Sequence, residues 1–205
     1  MRAGAQFQDK ARRFARDRSG VAALEFALIA PLLLALYFVT MEVAQAIEVN
    51  KKVGRAGSMI ADLVAQMPEI PVSELKGIMR IGEATLQPYN RSQPNIIVTA
   101  IEVTDEATPK VQVVWEGKLV DGEYDKGVPK GTAVDDLPLA LKIKGSFLIR
   151  AESSLAYEPV ITWAAASDSA KNAIGLAAVF DGIPMKETYY LRPRRSTTIP
   201  CADCY

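Results

Sequence analysis

Hydrophobic side chains run almost unbroken from residue 21 to residue 41, then recur at three- and four-residue steps as far as residue 67. From residue 95 they alternate with polar ones. The first run, VAALEFALIAPLLLALYFVTM, holds one charge, Glu25, and one other hydrophilic side chain, Thr40. As a helix its 21 residues span about 30 Å, the thickness of a bilayer's hydrocarbon core. The second run places Val43, Ile47, Val53, Ala56, Gly57, Ile60, Leu63, Val64 and Met67 on one side. Glu48, Lys51, Lys52, Arg55 and Asp62 take the other. The two runs together predict a single helix from about residue 21 to 66, about 70 Å long, ended by Pro68 and kinked at Pro31.

Residues 73–86, SELKGIMRIGEATL, predict a second amphipathic helix with Ser73 as its N-cap and Leu75, Ile78, Met79 and Leu86 on its apolar side. The turn formers of QPYNRSQPN follow. Period-two patterns predict strands at 95–104, 110–116, 145–157 and 186–191, and the short DEATP link makes the first two an antiparallel hairpin. Residues 117–144 read as loop with a short element at 139–142, and residues 160–183 suit a helix or a buried loop equally. The predicted fold is α+β: a long N-terminal helix, part in lipid and part packed on a small antiparallel sheet. Its parts are a basic leader (1–20), a transmembrane helix (21–45), an amphipathic extension (46–67), an exported domain (68–195) and a C-terminal tail with a CxxC motif (196–205).

Charge gives the first helix a direction. Lysines and arginines balance acids over the whole chain at 24 each, but residues 1–20 hold Arg2, Lys10, Arg12, Arg13, Arg16 and Arg18 against Asp9 and Asp17. A positive segment ahead of an apolar helix keeps the N-terminus cytoplasmic and exports the body. The balanced body gives no support to nucleic-acid binding.

The absence of histidine excludes Ser-His-Asp and Cys-His catalysis, HExxH metalloproteases and histidine-bound zinc. Asp121, Glu123 and Asp125 imitate the start of a calcium loop, but Lys126 and Thr132 stand where it needs glycine and an acid, so a solvated turn is expected. Gly122 and Gly127 have P-loop spacing with Val128 in place of the lysine. Trp115 and Trp163 are expected in the core. No catalytic residue, cofactor or metal ligand set emerges, and the expectation is a protein that is not an enzyme.

What surrounds Glu25 allows three readings. Ala44-Gln45-Ala46 is a signal-peptidase pattern, which would release a secreted body beginning at Ile47. An uncleaved anchor, with Glu25 reaching the interface, would hold a periplasmic binding module. The third rests on spacing: basic leader, Gly20, four small or apolar residues (Val21 to Leu24), Glu25, then Phe26. This resembles the class III signal of type IV prepilins, G|xxxxE[FY], and the continuation EFALIAPLLLALYFV resembles the N-terminal signature of the TadE/TadG-like proteins of tight-adherence pilus systems.

The resemblance covers about residues 18 to 45 and implies a pilin-like subunit with a type IV pilin-like fold, cut by a prepilin peptidase between Gly20 and Val21. It implies partners in the lipid bilayer of the inner membrane, other pilin-like subunits and the pilus assembly machinery. It also gives Glu25, fifth in the mature chain, a role in assembly beside Phe26, facing a neighbour's new amino terminus. Val21 departs from the phenylalanine that usually begins a mature type IV pilin.

At the other end, Cys201-Ala202-Asp203-Cys204 lacks both a thioredoxin-like βαβ setting and a second ligand pair for zinc. An exported tail favours a disulfide, within or between chains. The preceding YYLRPRR is similar to the endings of some TadE-like proteins, and its arginines are expected to be solvated.

Overall fold

The computed structural model of the protein describes residues 20–89, 91–160 and 182–204. The basic leader, Trp163 and most of the undecided 160–183 segment lie outside the described residues. Helix α1 (Val21–Ala65) is followed by α2 (Val72–Ala84). Strands β1 (Asn95–Val103), β2 (Val111–Val120), β3 (Glu123–Lys126), β4 (Phe147–Tyr157) and β5 (Ile183–Leu191) complete the order, with a 3₁₀ turn at Leu139–Leu141. The five strands form one antiparallel sheet in the order β3-β2-β1-β4-β5. This is the expected α+β architecture, a long apolar helix with a small antiparallel sheet.

By contact density the chain divides into residues 1–44 and 45–205. In the second unit, residues 49–65 of α1 and the apolar side of α2 cover one face of the sheet. Ile60, Ala61 and Val64 from α1 and Leu75 and Met79 from α2 meet Ile96, Val98, Trp115, Leu119 and Ile149. Close approach is set by small residues. A Cβ on Gly57 would lie 2.7 Å from Ser153 Oγ and 3.1 Å from the Tyr189 ring, so only glycine lets α1 sit this near β4 and β5. Ser153 Oγ in turn donates to the Val53 carbonyl at 2.8 Å, so the polar atom buried at this crossing is bonded.

The opposite face carries a second apolar cluster of Ile101, Val103, Val113 and Leu148, roofed by Val134 and Leu137. Both faces can be apolar because of a bulge in β2. Pairing with β1 skips Val114, so Val113 and Trp115 point to opposite sides of the sheet despite their separation of two.

Four expectations are corrected here. Residues 117–144 are not simply loop: β2 continues to Val120, a tight turn leads into β3, and residues 131–134 strap back across Val111 and Val113 by backbone hydrogen bonds. At the turn Asp121 and Gly122 both have positive φ, 52° and 76°, the conformation of a two-residue hairpin turn. Strand period is hidden in this region by the turn chemistry and by the brevity of β3.

Ser73 is not the cap of α2. The cap position is Pro71, whose apolar ring has no hydrogen-bonding group to offer, and the Val72 N–H is taken by Asp203 Oδ1 at 3.0 Å. Val43 and Ile47 are exposed, because packing over α1 ends with the cluster of Val49, Val53, Leu86, Leu155, Tyr157 and Met185. Finally, residues 196–204 are no free tail: Ile199, Cys201 and Cys204 are buried in the main core.

Candidate membrane and assembly site

Every feature the sequence singles out near the N-terminus falls on the first part of α1. The Gly20 carbonyl accepts the Leu24 N–H at 3.1 Å and so begins the helix, with Val21 as its first residue. Gly20 is exposed, and a Cβ there would meet nothing within 4 Å. The Gly20–Val21 bond is therefore unobstructed by any described residue. Glu25 is exposed, with Val21, Leu24, Phe26, Leu28 and Ile29 around it on the helix, all of them exposed as well. Among the described residues no hydrogen bond or ion pair reaches its carboxylate.

The helix runs through Pro31 without a break. Proline there has no N–H to offer the Ala27 carbonyl, one turn back. Thr40 is satisfied inside the helix, its Oγ1 donating to the Leu36 carbonyl at 2.8 Å.

The apolar stretch has a mean hydropathy of 2.2 over its best 18-residue window, and none of that window is buried. Phe26 is 72% exposed and Leu28 70%, so this is not the core helix of a globular domain. Each side chain of this size is stabilised by about 1.5–3 kcal/mol on leaving water. A band of them on all sides of one helix is stable only in lipid or against other apolar helices. A glutamate deep in such a band costs roughly 2.5–3.5 kcal/mol, less near the interface. Glu25 is only four residues past the helix start, about 6 Å of rise.

At the other end of the chain the cysteines form a disulfide, Cys201–Cys204, within one chain and with Cα atoms 5.5 Å apart. Its loop is fastened from three sides. Trp115 Nε1 donates to the Ile199 carbonyl at 2.7 Å, the Ile70 N–H donates to the Pro200 carbonyl at 3.0 Å, and Asp203 caps α2. Cys201, Asp203 and Cys204 are close enough to suggest a metal group, but the sulfurs are bonded to each other and the carboxylate is engaged by α2. Burial, followed by the charges of Asp203 and Asp125, raises the Tyr124 hydroxyl above its ordinary pKa. Arg194, expected to be solvated, forms an ion pair with Asp62 through its guanidinium, and its backbone N–H donates to the Ala65 carbonyl at 2.8 Å, closing the end of α1.

Of the acids of 121–125, Asp121 is in the turn, and Glu123 and Asp125 lie on β3. Sequence reasoning missed the buried carboxylate Glu116. It accepts from Thr99 Oγ1 at 2.8 Å and from the Val128 N–H at 3.2 Å, and pairs with Lys118 at 3.3 Å, holding residues 127–128 to β2. Its one sequence signal is an acid between Trp115 and Gly117 in a strand, which does not tell a buried position from an exposed one.

Comparison with known proteins adds one finding. The model of the family described as TadE-like protein matches residues 20–62, from the glycine before α1 to three residues short of its end. No curated protein and no solved structure matches the chain. The matched segment is thus TadE-like, and with the uncovered apolar helix it fits a membrane protein associated with a tight-adherence pilus system.

Proposed function

We propose that this chain, whose α1 is TadE-like, is a minor pilin-like subunit of a tight-adherence pilus, anchored in the bacterial inner membrane and without catalytic activity of its own. The N-terminus is cytoplasmic and the sheet domain periplasmic, as the basic leader ahead of the apolar helix favours. A prepilin peptidase hydrolyses the Gly20–Val21 bond. The observation that carries this reading is the coincidence of three features: a Gly20 unobstructed by the described residues, a helix that begins at the next residue, and a Glu25 in the apolar band with no partner among the described residues.

Cleavage creates an ammonium at Val21. In lipid that ammonium and the Glu25 carboxylate of a neighbouring subunit attract strongly, since water screening is largely lost. Each charge alone is unfavourable there, so the pair sets how far one helix slides along the next. Phe26 and the apolar residues around it supply the packing surface.

The test is the N-terminal residue of the protein recovered from cells that carry a prepilin peptidase. Val21 is expected, and Gly20→Leu should block the cut. Met1 would instead mean an uncleaved anchor holding a periplasmic module, and Ile47 a body released by signal peptidase.

A further inference from the structure

In the second unit, the first turns after the apolar stretch line a groove of about 230 Å³ together with Pro88, Tyr89 and Arg91. Its walls include Gln45, Glu48, Lys52, Tyr89 and Arg91. The Arg91 guanidinium lies 4.8 Å from the centre of the Tyr89 ring and 5.4 Å from that of Tyr157, and the two rings stack at 5.4 Å. Aromatic faces hold the cation in place without using its hydrogen-bond donors. Those donors are poorly served. Nη2 reaches Gln45 Oε1 and the Tyr157 hydroxyl only at 3.5 Å, and Nε is buried with no hydrogen-bond partner among the described residues. Lys52 Nζ stands at 3.0 Å from the Gln87 carbonyl and 3.3 Å from Glu48, whose side chain is 67% exposed.

A fixed guanidinium with spare donors beside an ammonium suits a tetrahedral oxyanion, which takes the guanidinium fork bidentately and the ammonium as a point charge. The place of the groove along the chain says which anion. Gln45 follows Met41 by four residues in the same helix, about 6 Å of rise. A bilayer's polar layer extends about 5–7 Å beyond the hydrocarbon core on each side. Tyrosine is also enriched in that layer on both sides of a membrane, and arginine and lysine can serve there as anchors.

We propose that this groove binds the phosphodiester of a membrane phospholipid headgroup, with Arg91 and Lys52 as its ligands. The proposal rests on α1 being a membrane anchor and is independent of cleavage after Gly20. Headgroup binding would fix the depth of the body against the membrane surface.

The test uses the full chain in an uncharged maltoside detergent, titrated with dihexanoyl-phosphatidylglycerol or with inorganic phosphate and read by native mass spectrometry. The short-chain lipid should be retained and inorganic phosphate should bind far more weakly. Arg91→Gln and Lys52→Gln should each weaken retention about tenfold or more, and Arg91→Lys should lose part of it because the fork is gone. Retention by Arg91→Gln and Lys52→Gln equal to that of the wild-type chain would overturn the site. Inorganic phosphate binding as tightly as the lipid would overturn the lipid assignment in favour of a soluble anion. If Arg91→Gln does not fold, Lys52→Gln decides alone, since its side chain is outside the tyrosine stack. A chain found to begin at Met1 would remove the cleavage reading while leaving this one standing.

Discussion

Replacing both Cys201 and Cys204 with alanine removes a covalent loop of four residues from the part of the chain that closes the helix-covered side of the sheet. A loop so short restrains the unfolded chain only modestly, and the chain-entropy relation gives about 2 kcal/mol for it. The surroundings decide whether the loss stops there. If the segment stays docked, Asp203 still caps α2 and Trp115 still reaches the Ile199 carbonyl. If it lifts away, the cap adds about 1 kcal/mol and the buried indole N–H left without a partner about 1–3 kcal/mol. The total cost then reaches about 4–6 kcal/mol.

For a unit the size of residues 45–205, each kcal/mol lowers Tm by about 2–4 °C. The docked case gives a fall of about 4–8 °C and the detached case about 8–24 °C. Thermal melts of the full chain in detergent, followed by circular dichroism, separate the two. Wild-type protein refolded under reductant should melt with the variant. A Tm unchanged to within about a degree would refute the idea that this clasp stabilises the fold.

Gly57→Ala should destabilise by about 1–2 kcal/mol, because the new methyl displaces Ser153 Oγ from its bond to Val53, which outweighs a helix-propensity gain of about 1 kcal/mol. Gly77→Ala on the open side of α2, where a Cβ meets nothing within 4 Å, should instead stabilise by about 0.5–1 kcal/mol, and a denaturant titration of both variants reads the two opposite shifts. Tyr124 is protonated in both states below its ordinary pKa of 10.0, and its raised value in the folded protein means that the unfolded chain ionises first. Stability should therefore fall as pH rises from about 10 through the folded pKa, and Tyr124→Phe should flatten that slope with little change at neutral pH. Glu25→Ala should leave membrane insertion intact or improved, since an acid leaves the apolar band, while piliation and co-purification with pilin-like partners fail. Normal assembly of that variant would remove the pairing mechanism.

The sequence alone determined those features that repeat along a chain or depend on near neighbours. The apolar run of 21–41, its amphipathic continuation to about residue 66 and the break before Pro68 follow from helical period and proline chemistry, and α1 starts at Val21 and ends one residue earlier than that, at Ala65. Alternation located β1, β2, β4 and β5, though β2 and β5 each extend further than their patterns suggested. The glycine–glutamate spacing at the start of α1 is also local, which is why its resemblance to pilin signals was legible without a structure.

Tertiary structure decided everything that joins distant segments. Pro71 offers no cap, so α2 borrows Asp203 from 131 residues away. No local pattern encodes that borrowing. The alternation of β2 hides its bulge, because Val113 and Trp115 look like one face until pairing with β1 sends them to opposite sides. Arg91 reads as an ordinary loop charge until Tyr89 and Tyr157, 66 residues beyond it, close on its guanidinium. A cap, a bulge and a stacked cation each depend on which surface arrives opposite, and the packing of α1 and the sheet supplies that surface.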